Sequence, residues 1–191
     1  MAVPLQLHTP PSAGFDEPFG MLHACHGRVE RTLELLLRLG THLAEYGCDA
    51  QARDAAADVQ RYFDVAAPLH HGDEELHVFP VLRAAGKTAL ADTLHAEHEQ
   101  MEQLWADIRA DLQAVQARQM PDDRALTDAR QRWADFSALY TSHIRMEEAQ
   151  AYPEAQARLG LAERAAMGCD MAQRRGARYP DAVMPKGAGG R

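Results

Sequence analysis

Few cysteines, few aromatic residues and no long apolar run set the first limits on this chain of 191 residues. Cys25, Cys48 and Cys169 are odd in number and lack metal-type spacing. They read as reduced thiols of a cytoplasmic protein, not as a disulfide framework. No stretch reaches the about 20 apolar residues that cross a bilayer, and the Pro-punctuated polar arm Met1 to Pro11 is not a secretory leader. An excess of positive charge is missing too. The formal net charge of -8 argues against non-specific nucleic-acid binding and against an anionic membrane surface. Runs of β-branched residues are scarce, whereas Ala, Leu, Glu and Arg abound, which favours helix. The length suits one well-cored domain with a tail.

Punctuation divides the chain into an N-terminal arm (1–14), a helical domain (15–160) and a C-terminal helix and flexible tail (161–191). Asp16, with Pro18 in the first turn, opens a first helix that runs toward Gly40 or Gly47. A second runs from near Asp49 to Phe79-Pro80 and is kinked at Pro68. Thr88 caps a third, which continues to about Gln119. Asp122 or Asp123 opens a fourth, which closes at Tyr152-Pro153. Apolar residues recur at helical spacing, as in Leu104, Ile108, Leu112 and Val115. A weaker fifth helix covers Leu161 to Gln173, and the Gly- and Pro-rich end from Tyr179 reads as disordered. Short connections make successive helices antiparallel neighbours, so the expected fold is an all-α, up-down-up-down four-helix bundle with a short extra C-terminal helix.

One pattern occurs twice. His70, Glu74, Glu75, Phe79 and Pro80 stand as H-x-x-x-E-E-x-x-x-[FY]-P, and His143, Glu147, Glu148, Tyr152 and Pro153 repeat it. A second pair accompanies it: Leu22-His23-Ala24-Cys25-His26 with Glu30, and Leu94-His95-Ala96-Glu97-His98 with Glu102. A His and a Glu four residues apart project from one helix face, one turn apart. His26 and His98 lie about ten residues after their helices begin, and His70 and His143 about ten before theirs end. At ~1.5 Å per residue, all four fall in one layer, roughly 15 Å from the same end of the bundle.

Imidazole with carboxylate suits iron, manganese or zinc, whereas thiolate selects zinc or copper. Glu74 and Glu147 are assigned as bridges between two ions, with His26 and His143 serving one ion and His70 and His98 the other. Such a mixed N/O set is the usual home of non-haem iron. Two positions per ion stay open, one for an oxo or hydroxo bridge and one for a small diatomic or peroxide. That equips the centre to react.

These motifs resemble the hemerythrin-like (HHE cation-binding) family across roughly residues 15 to 160. Ferritin-like di-iron bundles use a Glu-x-x-His pair three apart, and none sits at the matching places here. The resemblance implies a di-iron centre that handles dioxygen, nitric oxide or peroxide, or senses iron. Its ligands carry over to His26, His70, Glu74, His98, His143 and Glu147. Oxygen-carrying members place a second histidine one turn after the third-helix ligand, where Glu102 stands here. They also space the last carboxylate five from its histidine, where this chain offers both Glu147 and Glu148. The four-His, two-Glu set is closer to the family's iron-centre repair proteins, linked to nitric oxide and oxidative stress. Those usually carry adjacent cysteines, which this sequence does not contain.

Other residues near the motifs have blander readings. Glu75 and Glu148 point roughly 100° away from the bridges, so they either support ligands from behind or face solvent. His71 has no histidine counterpart in the second half, where Ile144 stands, and is a candidate extra ligand. His23 and His95 read as partly exposed, and Glu30 and Glu102 either accept from ligand imidazoles or face solvent. His42 and Tyr46 lie roughly 24 to 30 Å along the helix from His26, too far to take part. Cys25 reads as a small apolar filler beside a ligand. Trp105, Trp133, Met101 and Phe136 read as core, and Phe79 and Tyr152 as helix stops packed beneath the site. Iron buffering is an alternative role. A different class of function is a metal-stabilised interaction module working through residues 161 to 191, which carry Arg174, Arg175, Arg178 and Lys186.

Overall fold

The computed structural model describes residues 14–179, so all but the last residue of the arm (1–14) and the last twelve residues, Lys186 among them, lie outside the described residues. The elements are α1 (Pro18–Tyr46), α2 (Ala50–Arg61), α3 (Ala67–His77), α4 (Phe79–Ala84), α5 (Thr88–Gln116), α6 (Asp123–Met146), α7 (Tyr152–Arg158) and α8 (Leu161–Arg174). Two π-helical turns, Tyr62–Ala66 and Glu147–Ala151, join α2 to α3 and α6 to α7. Among the described residues there is no β-strand. Helix α1 packs on α2 and α6, and α5 packs on the same two, closing the ring of a four-helix bundle. The all-α bundle is therefore the fold, with α8 laid against α1 and α3.

Boundaries follow local chemistry. Helix α1 ends at Gly47, whose φ of 73° is the left-handed conformation that glycine adopts without strain. Gly40 is interior to α1, and a Cβ there would stand 2.9 Å from Arg130 Cγ, so glycine lets α1 approach α6. Asp49 accepts from Ala52 N–H and Asp122 from Ala125 N–H, capping α2 and α6. Thr88 is the first residue of α5 and not its cap; Lys87 holds that position without a side-chain bond.

The prolines behave differently from expectation. Phe79-Pro80 and Tyr152-Pro153 do not stop their helices. Each proline stands in the first turn of a new segment, α4 or α7, where its missing N–H costs little. Pro68 likewise enters the first turn of α3, directly after a π-helical turn. The wide turn, closed by Ala67 N–H to Tyr62 O, absorbs the proline where a simple kink was expected.

Two apolar clusters flank the layer that holds the histidines. The larger runs from Val29 to Leu43 on α1 across to Trp133 and Phe136. The smaller joins Leu22, Phe79, Leu82, Leu94 and Tyr152 to Met167 and Met171 of α8. Trp133, Met101 and Phe136 are buried as expected, while Trp105 is only half-buried.

Candidate metal centre

Eight polar side chains among the described residues are buried below a tenth of their surface, and six of them are His26, His70, Glu74, His98, His143 and Glu147. Burial of ionisable groups is costly unless they are paired or hold metal. These six fall into two groups whose potential ligand atoms lie within 4.8 Å of one another: His26, His70, Glu74 and Glu147, and Glu74, His98, His143 and Glu147. The expected pairing is thus corrected. His26 sits with His70, their ring centroids 4.9 Å apart, and His98 with His143, whose Nε2 atoms are 3.0 Å apart.

Each carboxylate divides its oxygens between the groups. Glu74 Oε1 lies 3.4 Å from His70 Nε2 and 3.9 Å from His26 Nε2, while its Oε2 lies 3.5 Å from His98 Nε2. Glu147 Oε2 is 3.1 Å from His26 Nε2, and its Oε1 is 3.1 Å from His143 Nε2. Glu74 Oε2 and both Glu147 oxygens are buried without a hydrogen-bond partner among the described residues. Unsatisfied buried carboxylate oxygens facing imidazole nitrogens form a donor set that could hold cations.

Protonation in the metal-free chain follows the same geometry. Burial opposes charge on His26, yet the Glu147 and Glu74 carboxylates close to its ring outweigh it and raise its pKa to about 10. His143 is raised to about 9 against the same burial, chiefly by Glu147. Burial instead dominates at His70 and lowers it to about 3. Glu74 is held well below the usual carboxylate range despite burial, by His70, His26 and His98.

The outward nitrogens are held by a further ring of carboxylates. Glu148 Oε1 faces His26 Nδ1 at 3.0 Å, Glu75 Oε1 faces His98 Nδ1 at 2.8 Å, and Glu97 Oε2 faces His143 Nδ1 at 2.7 Å. Such contacts fix ring orientation and tautomer. Glu75 and Glu148 therefore brace the candidate histidines from behind, whereas Glu30 and Glu102 are exposed and do not. His23 lies 3.2 Å from Glu148, and His95 lies 3.6 Å from Glu75. The sequence reading missed Glu97. A signal was present, since it adjoins His98, but Cys25 fills the equivalent place before His26 and hides the repeat. His70 Nδ1, the counterpart of the nitrogen Glu97 holds, has no partner among the described residues.

Two aromatic rings floor the centre. Tyr152 stacks on His26 with ring centroids 5.3 Å apart and 10° between planes, and Phe79 lies 5.4 Å from His98. The Tyr152 hydroxyl donates to Glu74 Oε1 and stands 3.0 Å from His26 Nε2. His71 is outside both groups; its ring stacks on His98 at 3.8 Å, and Tyr140 Oη lies 3.3 Å from its Nε2. His42 contacts Asp49 and, like exposed Tyr46, lies away from the centre. Cys25 is buried, receives Arg28 Nη2 at 2.8 Å, and has its thiol pKa pushed up by burial, as suits a filler.

Helix α8 is tied to the same layer. Arg174 and Arg175 both pair with Asp73, which is buried next to Glu74, so these two cations are spent inside the molecule. No described helix is long and apolar enough to cross a membrane.

Comparison with known proteins agrees with this geometry. The hemerythrin HHE cation-binding domain matches residues 17–156. A protein of Haemophilus influenzae, described only as uncharacterized, is 34% identical over 139 residues, covering 71% of this chain and 77% of its own length. A match across most of the chain, with both histidine–glutamate pairs inside it, assigns the chain to the hemerythrin HHE cation-binding domain family.

Proposed function

We propose that the protein holds two iron ions and binds or turns over a small oxidant, namely dioxygen, nitric oxide or peroxide, in redox sensing or stress response. One observation carries the reading: Glu74 and Glu147 each turn one oxygen toward His26/His70 or His26 and the other toward His98 or His143. A carboxylate shared in this way suits a pair of cations better than one. His26 and His70 would hold one ion, His98 and His143 the other, with both carboxylates common to the two. Nitrogen and oxygen donors without thiolate suit iron, manganese or zinc. When bound, an iron pair supplies redox capacity and open positions for a small ligand.

The chain's own residues set the terms on which that chemistry runs. Glu75, Glu97 and Glu148 hold the imidazoles in register and raise their basicity. Phe79, Tyr152 and the two apolar clusters exclude bulk water from the layer. The Tyr152 hydroxyl holds a proton at Glu74 Oε1.

Metal analysis and optical spectroscopy of protein grown in iron-rich medium test the reading. It requires about two irons per chain and the visible absorption of a coupled diferric pair after exposure to air. A single tightly held zinc with no iron would end it.

A further inference from the structure

We propose that small ligands reach this centre from the His98/His143 side, through a cavity whose acidic mouth disfavours anions and admits uncharged molecules. The inference rests on the di-iron reading and adds the route and the charge class of the ligand.

A cavity of about 360 Å³ opens between α3, α5 and α6. Phe63, Ala67, Met101, Trp105 and Phe136 make its walls apolar. It ends on His71 and His98, whose stacked rings are 3.8 Å apart. Directly behind, His98 Nε2 lies 3.0 Å from His143 Nε2 and 3.5 Å from the unpartnered Glu74 Oε2. The other candidate position is closed by an aromatic ring. There the Tyr152 ring lies flat on His26, and its hydroxyl is already committed to Glu74. A water molecule's share of liquid volume is about 30 Å³, so the cavity has room for several diatomic molecules.

The mouth is acidic. Glu75, His95, Glu99 and Glu102 rim the cavity, and among the described residues no Lys or Arg lines it. Glu102 occupies the position where oxygen carriers have a histidine. Here it is exposed at the rim, one turn beyond His98, and contributes charge in place of ligation. Glu99 is 65% exposed, so its charge also faces the approach path. Carboxylates at the entrance of an apolar channel slow an approaching anion and leave a neutral molecule unaffected.

The test compares azide binding to the diferric protein with nitric oxide binding to the diferrous protein, each by stopped-flow absorbance. A unit charge ~10 Å away in water alters an association rate roughly twofold. The Glu99→Gln/Glu102→Gln variant, altered only at exposed positions, should keep two irons and bind azide about fourfold faster at low salt. That gain should vanish near 1 M salt, where the screening length is about 3 Å, and the nitric oxide rate should not change. Ala67→Phe, which fills the cavity, should slow both ligands in protein that retains its iron. Unchanged azide rates in both variants, with two irons bound, would overturn the route and leave the di-iron reading standing. Slower ferrous loading of the Gln variant with unchanged azide binding would make the cavity a cation inlet and overturn the charge filter. Absence of iron from the wild-type protein would instead defeat the proposed function itself.

Discussion

The two copies of the repeated motif have the same spacing and different surroundings. In the first copy the π-helical turn precedes the ligands, at Tyr62–Ala66; in the second it begins at Glu147 itself. Glu75 reaches across to His98, and Glu148 to His26, so each copy braces a histidine on a different helix. The symmetry then fails in two places. His143 has Glu97 behind it while His70 Nδ1 has no partner among the described residues, and Tyr152 brings a hydroxyl where Phe79 brings none. A repeat in sequence therefore yields two candidate metal positions of unequal surroundings, one walled by Tyr152 and the other beside a cavity lined by His98.

Removing a shared carboxylate should erase that difference, because both positions depend on it. Glu74→Ala or Glu147→Ala should drop iron below one per chain. Each leaves imidazoles or cations uncompensated in a buried layer, a loss of about 3–5 kcal/mol in thermal unfolding of the loaded protein. Retention of one iron in either variant would show that the carboxylate serves a single ion.

Glu97→Ala should make the second half resemble the first. His143 would lose the carboxylate that orients it, and iron affinity should fall by roughly 10–100-fold in a chelator competition. Glu75→Gln and Glu148→Gln keep a hydrogen-bonding group at His98 and His26, so their losses should lie at or below the low end of that range. If Glu148→Gln abolishes iron while Glu147→Ala retains it, the fourth helix binds through the five-residue spacing and the shared-carboxylate account fails.

Tyr152→Phe tests the other asymmetry. The ring still packs on His26, so iron should stay at two per chain while stability falls by about 1 kcal/mol for the lost hydrogen bond. The visible spectrum should shift, since the hydroxyl touches Glu74; an unchanged spectrum would leave Tyr152 with packing alone.

A pH effect should separate the metal-free from the loaded protein. The pKa of His26 is raised to about 10 and that of His143 to about 9, above their ordinary values. Raised groups stabilise the fold fully below an unfolded pKa of about 6.5 and lose that contribution as pH rises through the folded values. His70 is lowered to about 3, so its contribution is present above about 6.5 and lost as pH falls. The metal-free protein should therefore melt at lower temperature at pH 10 than at pH 6.5, and the iron-loaded protein should show much less of that decline.

Much of this was legible in the sequence, for identifiable reasons. Helical periodicity, Asp49 and Asp122 or Asp123 as openings and Gly40 or Gly47 as a stop are local signals, and they placed the four long helical segments; the structure selects Asp122 and Gly47. The layer of histidines followed from counting rise per residue, which needs only helix geometry. What escaped depends on contacts between helices. Which histidine faces which depends on how side chains meet across the layer, and rise per residue along each helix does not choose between His70 and His143 as the neighbour of His26. Glu97 acts on another helix at Nδ1 of His143, and no spacing within α5 announces that. The prolines misled because proline reads equally as a stop or as a first-turn residue, and only the preceding wide turn decides between them. Arg174 and Arg175 looked available for a partner until α8 docked and turned both onto Asp73.

The central claim is that Glu74 and Glu147 are shared by two cations in one buried layer. Anomalous diffraction from iron-loaded crystals, recorded at the iron absorption edge, addresses it directly. The account predicts two iron peaks per chain, one between His26 and His70 and one between His98 and His143, with a Glu74 and a Glu147 oxygen on each. A single peak, or a pair in which Glu148 replaces Glu147, would contradict it.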